Sequence, residues 1–293
     1  MTIIKSKFTK EFNNILLIPT DFSPRCDNAV KQGLLLAGKL QYKVVILYMI
    51  DKSNEEIIKN SPQGEECIGI NFHRYIKNFA NQSKLEIETL VRKGNIVHGI
   101  LKVAHELKAG MLIFETDGKH GLEYLFGSHA LKLVLHSPCP VIVVQNRSFI
   151  DGFRKIVLPV KEDVDPRQAV DWAMILCTLY KSEVKLFLSQ ETEPSLKTRV
   201  KVISNQIARL LAGKNIPYAI ETAASPHSFA TQVISYATKT NSELIMIITR
   251  PDDDFMGLGL SGWDEKIMFN QDQLAVMCIN PVIIGEPEID WMN

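Results

Sequence analysis

Short, continuously apolar runs alternate along this chain with longer stretches in which apolar positions recur every three or four residues. The runs ILLIP, VVILY, MLIF, VIVV, IVLP and LIMII have the pattern of strands covered on both faces. Between the first two, Ala29, Val30, Gly33, Leu34, Ala37 and Leu40 fall on one helical stripe. Strands are expected near 15–19, 43–50, 84–91, 110–115 and 140–145, and again near 155–160, 183–188, 216–222, 243–249 and 281–285. Alternation of strand and helix predicts an α/β fold with a parallel, doubly wound sheet. Ligands on such sheets bind beyond the carboxyl ends of the strands. Pro19-Thr20-Asp21, Met49-Ile50-Asp51 and the segment from Glu115 to Gly121 are expected at that edge.

The pattern is written twice. Pro159 and Pro19, Ala169 and Ala29, Val170 and Val30, and Val184 and Val44 are each separated by 140 positions. The stripe reappears as Ala169, Val170, Ala173, Met174, Cys177 and Tyr180. Each copy follows its first run with Ser23-Pro24 or Asp165-Pro166, an N-cap acceptor and a proline suited to a first helical turn. Ala237 lies 133 positions after Ala104, and Thr249 lies 133 after Thr116. Aligning Pro281 with Pro140 gives 141 and implies a segment eight residues longer after the fourth strand of the second copy. Two domains are expected, 1–146 and 153–293, joined by a short polar connection and packed together as an internal pair.

Composition narrows the partners. The sequence has 293 residues, is 46% hydrophobic, and carries 33 basic and 33 acidic side chains. With no net charge there is no long-range field toward nucleic acid or an anionic membrane, so neither partner is expected. Five scattered cysteines without a C-x-x-C pair fit a reducing compartment. The first residues lack a signal-peptide core, and no apolar run approaches the ~18 residues of a spanning helix. A cytoplasmic protein is expected.

The stretches ILLIPTDFSPRCDNAVKQGLLLAGKL, LVRKGNIVHGILKVAHELKAGMLIF and GSHALKLVLHSPCPVIVV together resemble the universal stress protein family, and the whole chain resembles its tandem, two-domain form. The resemblance implies five-stranded α/β domains of the adenine-nucleotide-hydrolase-like kind, packed as an internal pseudo-dimer. The candidate pairing strands are PVIVVQ and PVIIGE. Family members that bind ATP carry G-x2-G-x9-G-[ST] after the fourth strand and an aspartate after the first. Here Asp21 matches the aspartate, and Gly118, Gly121, Gly127 and Ser128 match the glycine pattern with five intervening residues in place of nine.

A site of that kind would take ATP or AMP with Mg2+ in the first half. Its residues would be Pro19, Thr20, Asp21, Tyr48, Met49, Ile50, Gly118, Gly121, Gly127, Ser128 and His129. Glycines let backbone N–H groups approach an anion, and a helix opening at Gly127-Ser128 favours negative charge by ~0.3–1 kcal/mol. Asp21 would accept from ribose or adenine, and backbone at Tyr48 to Ile50 would meet the base. Glu115 and Asp117 would repel phosphate unless a divalent ion intervened. The other reading of the same glycines is a turn followed by a helix cap. In the second half Lys161-Glu162 stand where Asp21 does, and residues 249–271 lack the glycine pattern, so no nucleotide is expected there.

Other chemistry finds little support. His120, His129, His136 and Cys139 lack regular zinc spacing, and Asp252-Asp253-Asp254 lacks further ligands for a hard cation. No G-x-S-x-G is present. Cys26 sits in a helix's first turn, a position that can lower a thiol pKa, but a helix-start cysteine is far more often inert, and Cys26 is read as inert. No catalytic and no metal-ligating residue is assigned. Two functions remain: a stress-response module acting through protein contacts, or an ATP- or AMP-binding protein, at most a slow ATPase, with one competent site in the first half. Partners beyond the internal pair would be a further copy of the chain or another protein.

Overall fold

Ten strands form one continuous sheet in the order β3-β2-β1-β4-β5-β10-β9-β6-β7-β8. The computed structural model describes residues 12–281 apart from 25, 62–63, 65, 81–84, 117–126, 148, 150–151, 163–165 and 250–261. The first half contains β1 (Asn13–Thr20), α1 (Cys26–Leu40), β2 (Lys43–Ile50), α2 (Lys52–Lys59), α3 (Glu66–Ala80), β3 (Ile87–Lys93), α4 (Ile96–Glu106), β4 (Ala109–Glu115), α5 (Gly127–His136) and β5 (Val141–Val144). The second contains β6 (Lys155–Val160), α6 (Arg167–Tyr180), β7 (Glu183–Leu188), α7 (Pro194–Gly213), β8 (Tyr218–Thr222), α8 (Phe229–Lys239), β9 (Leu244–Ile248), α9 (Gly262–Met268) and β10 (Ala275–Ile279). Each half is a five-stranded parallel sheet of order 3-2-1-4-5, so the fold is two tandem copies of one doubly wound domain.

Side chains alternate across the strands and feed two apolar layers. Leu16, Ile18, Ile46 and Tyr48 pack against α1 and α3 on one face, with Ile156 and Leu158 in the same layer beside α6 and α7. Leu17, Leu47, Met49 and Phe114 pack on the other face with α4 and α5, and Val157 and Ile245 with α8 and α9. Gly110 lets β4 run against β1, because a Cβ there would lie 2.6 Å from the Asn13 carbonyl oxygen.

The halves meet as a pseudo-dimer through their last strands. β5 and β10 pair antiparallel, with Val141 opposite Cys278, Ile142 opposite Met277 and Val143 opposite Val276. The partner strand is AVMCI (275–279), not the expected 281–285. Leu112 pairs with Val141 and Ile245 with Val276. Leu112 and Ile245 differ by 133 and Val141 and Val276 by 135, so the second copy is two residues longer here rather than eight. The two prolines are not equivalent: Pro140 precedes its strand and Pro281 follows its own. At that shift of 135, Ile142 faces its own counterpart, Met277, and the pseudo-twofold passes between them.

Candidate functional site

β1 ends in a buried Thr20 whose hydroxyl accepts from the Phe22 N–H at 3.0 Å. The turn places Phe22 in the left-handed region, at φ 64°. There its ring stacks on Tyr48, with centroids 4.7 Å apart and planes 10° apart, and meets Phe72 edge-on at 4.8 Å. Aromatic packing of this kind stabilises a backbone conformation that a bulky residue otherwise avoids. Asp21, half-buried, accepts at Oδ1 from the Ser23 N–H at 2.8 Å and from the Cys26 thiol at 3.1 Å. Asp21 thus holds the turn before α1. The helix begins at Cys26, three residues after the expected cap Ser23.

Burial, and then the Asp21 charge, push the Cys26 thiol up to about 12. Helix position alone can lower such a value; here desolvation outweighs the helix dipole. Cys26 is therefore a protonated donor to Asp21 at neutral pH.

At the end of β2, Tyr48, Met49 and Ile50 are buried. The Ile50 carbonyl accepts from the Gly94 N–H at 2.8 Å, and the Met49 carbonyl from Asn54 Nδ2 at 3.0 Å. Asp51 caps α2 in a reciprocal box with Asn54. The Met49 side chain lies against Gly99 of α4, where an added Cβ would come within 2.1 Å of its methyl carbon. Burial raises the Tyr48 phenol above its ordinary value, so it stays protonated.

β4 ends at Glu115, buried, and Thr116, 3% exposed. The Thr116 N–H donates to the Val144 carbonyl at 3.0 Å, while its buried hydroxyl oxygen has no hydrogen-bond partner among the described residues. Gly118 and Gly121 lie outside the described residues. Gly127, Ser128 and His129 form the first turn of α5, with Ser128 exposed and His129 half-buried. The strand ends carrying Pro19, Thr20, Tyr48, Met49 and Ile50 are adjacent in the sheet, because β1 lies between β2 and β4.

In the second half Lys161 follows β6 at the position equivalent to Asp21. At the shift of 135, Trp263 stands where the first half has Ser128. The two meet: the Lys161 ammonium lies 5.6 Å from the Trp263 ring centroid. Phe229, 6.3 Å from Trp263, and Phe187, stacked on Phe229 at 5.8 Å, extend the aromatic group. Thr249, equivalent to Thr116, donates its hydroxyl to the Ile279 carbonyl at 3.2 Å and to Asn280 Oδ1.

Two residues cross the pseudo-twofold. Asn280, after β10, donates Nδ2 to the carbonyls of Val134 at 2.8 Å, Leu135 at 3.0 Å and Ser137 at 2.9 Å, where α5 ends. Its counterpart Gln145, after β5, donates Nε2 to the carbonyls of Met268 at 3.4 Å and Asn270 at 3.1 Å, where α9 ends. These amides satisfy carbonyls that a helix leaves without an internal partner. The sequence reading missed both. The signal was a polar amide directly after each fifth strand, obscured in the second copy by the misplaced proline.

Among the described residues no group of three or more His, Cys, Asp or Glu could hold a metal ion, and no helix is long and apolar enough to cross a membrane.

The family model for the universal stress protein family matches residues 13–145. A universal stress protein of Methanocaldococcus jannaschii is 28% identical over 144 residues, 44% of this chain and 81% of its own. The structure of a universal stress protein from Archaeoglobus fulgidus covers 91% of this chain and 96% of its own, with a TM-score of 0.68 and 14% identity, a likeness of fold across both halves. A universal stress protein solved in complex with cAMP matches 45% of this chain and 97% of its own at 18% identity and a TM-score of 0.36; the ligand is a fact about that protein. The first half, residues 13–145, thus matches the universal stress protein family, and the second half repeats the same fold.

Proposed function

We propose that this protein is a stress-response regulatory module that acts through protein contacts and takes one adenine nucleotide, in its first half, as its controlling ligand. The units are residues 1–146, which receive the ligand, and 153–293, which act as structural partner. The observation that carries this reading is the contrast between Thr116 and Thr249. Among the described residues the Thr116 hydroxyl is buried without a partner, whereas the Thr249 hydroxyl is taken by Asn280 and Ile279. An unpaired buried hydroxyl costs about 1–3 kcal/mol, which a ligand's polar group would relieve. Lys161 over Trp263 supports the same division, since that pair holds the positions of Asp21 and Ser128.

In this reading Asp21 spends Oδ1 on its own turn and offers Oδ2 to a ribose hydroxyl. Backbone at Tyr48 to Ile50 borders the base. The N–H groups of Gly127 and Ser128 at the start of α5 receive phosphate, and Pro19, Thr20 and His129 flank it. Gly118 and Gly121 would supply backbone N–H groups from the intervening segment. Mg2+ carried with the nucleotide would screen the phosphates from Glu115, which lies buried at the end of β4.

Calorimetric titration of nucleotide-stripped protein with MgATP and with AMP tests this. The expected result is one site per chain, lost in Gly127→Asp and kept in Lys161→Ala. No heat with either nucleotide, together with an unchanged melting temperature, would reduce the glycines to a turn and leave protein contacts as the sole activity.

A further inference from the structure

Joining the halves through β5 and β10 leaves the sheet, among the described residues, with two outer strands, β3 and β8. An outer strand presents unpaired backbone groups and is either guarded or used. On β3 the Val44 N–H donates to the Glu86 carbonyl at 3.1 Å, and the Gly94 N–H to the Ile50 carbonyl at 2.8 Å. With the parallel register of β2 and β3, the even-numbered residues therefore direct their backbone toward β2. Ile87, Thr89, Val91 and Lys93 direct theirs away from the sheet.

We propose that β3 pairs antiparallel with β3 of a second copy of this chain, centred on Leu90, joining two ten-stranded sheets into a homodimer. About that centre the outward-facing residues become the hydrogen-bonded pairs: Thr89 with Val91 of the second copy, and Ile87 with Lys93 of the second copy. The intervening, non-hydrogen-bonded pairs bring side chains closest. They set Glu88 against Arg92 of the second copy, twice by symmetry, and Leu90 against itself. Opposite charges directly across strands are favourable and like charges unfavourable. The sequence of β3 is thus complementary to itself in charge as well as in backbone phase.

The side chains stand ready for this pairing. Lys43 Nζ lies 2.6 Å from Glu88 Oε2 and 3.1 Å from Glu86 Oε1, so the Glu88 carboxylate is held on the β3 row. Arg92 Nη1 donates to the Val91 carbonyl at 3.1 Å, covering one of the outward acceptors with the chain's own guanidinium. On pairing, that carbonyl would receive a backbone N–H and Arg92 would turn to Glu88 of the second copy. The row Lys43, Glu88, Arg92 alternates in sign.

β8 lacks this complementarity. The Val184 N–H donates to the Pro217 carbonyl at 2.9 Å and the Ala223 N–H to the Leu188 carbonyl at 2.8 Å, so only Tyr218, Ile220 and Thr222 face outward. Pairing β8 with itself about Ile220 would set Glu221 opposite Ala219, with no charge pair. Its exposed Tyr218 and Ile220 make it the alternative edge that a test must separate.

Sedimentation equilibrium on the full chain, up to high micromolar concentration, provides that test. The wild type is expected to dimerise, more weakly at raised salt because the charge pairs are exposed. Glu88→Arg and Arg92→Glu should each raise the dissociation constant roughly tenfold or more, and the double swap E88R/R92E should restore it. Ile220→Lys should change nothing, and circular dichroism should report one fold for all variants. A monomeric wild type, a dimer indifferent to either single swap, failure of the double swap, or loss of the dimer in Ile220→Lys would each overturn the proposal.

Discussion

In the first half an aspartate follows the first strand and a serine stands second in the helix after the fourth. In the second half a lysine and a tryptophan hold those two positions, with the ammonium 5.6 Å from the ring centroid. The apolar layers beneath differ far less: Leu16 and Ile18 have Ile156 and Leu158 as counterparts, all fully or almost fully buried. A duplicated frame can exchange an acid and a hydroxyl for a cation and an aromatic ring because strand ends lie outside the close-packed layers. Core packing restrains the strands in both copies, whereas each strand end answers only to its local partners. The seam differs in degree. Asn280 makes three short bonds to the end of α5, and Gln145 makes two longer ones to the end of α9.

That inequality gives the largest expected effect. Asn280→Ala removes the amide that serves Val134, Leu135, Ser137 and Thr249, and should cost about 2–4 kcal/mol in urea unfolding. Gln145→Ala should cost about 1–2 kcal/mol, and equal losses for the two would erase the contrast at the seam.

The helix starts offer a third comparison, since the first half has Cys26 where the second has Pro166. The Cys26 thiol is raised to about 12 from an ordinary 9.0. The native state therefore keeps a proton that the unfolded chain releases between these values, and stability falls as pH rises through that window. Near pH 10 Cys26→Ser should lose about 1 kcal/mol less than wild type relative to neutral pH, measured by paired urea melts. The smallest effect belongs to the second half's pair. Lys161→Ala should cost about 0.5–1 kcal/mol through the lost contact with Trp263, whereas Asp21→Ala should leave that contact and the Trp263 fluorescence unchanged.

Strand and helix order was readable because apolar runs and helical stripes report burial directly, and burial is what the two layers impose. The shift of 140 aligned β1 to β2 with β6 to β7, and the observed registers keep it: Leu16 pairs with Val44 and Ile156 with Val184. The last strand was misplaced because a proline served as landmark, and proline sits equally well before a strand or after one. AVMCI was the better signal, a continuous apolar run like the other central strands. The expected helix start at Ser23-Pro24 gave way to a turn in which Asp21 accepts from the Ser23 N–H, with the helix beginning at Cys26. The seam amides depend on contacts across more than a hundred positions, and no local pattern encodes those.

Amide hydrogen exchange of the full chain, with and without saturating MgATP, tests the division of labour between the halves most directly. The account predicts new protection in peptides spanning 19–24 and 127–131, with none in those spanning 160–162 and 262–268. Protection in the second half, alone or alongside the first, would contradict it.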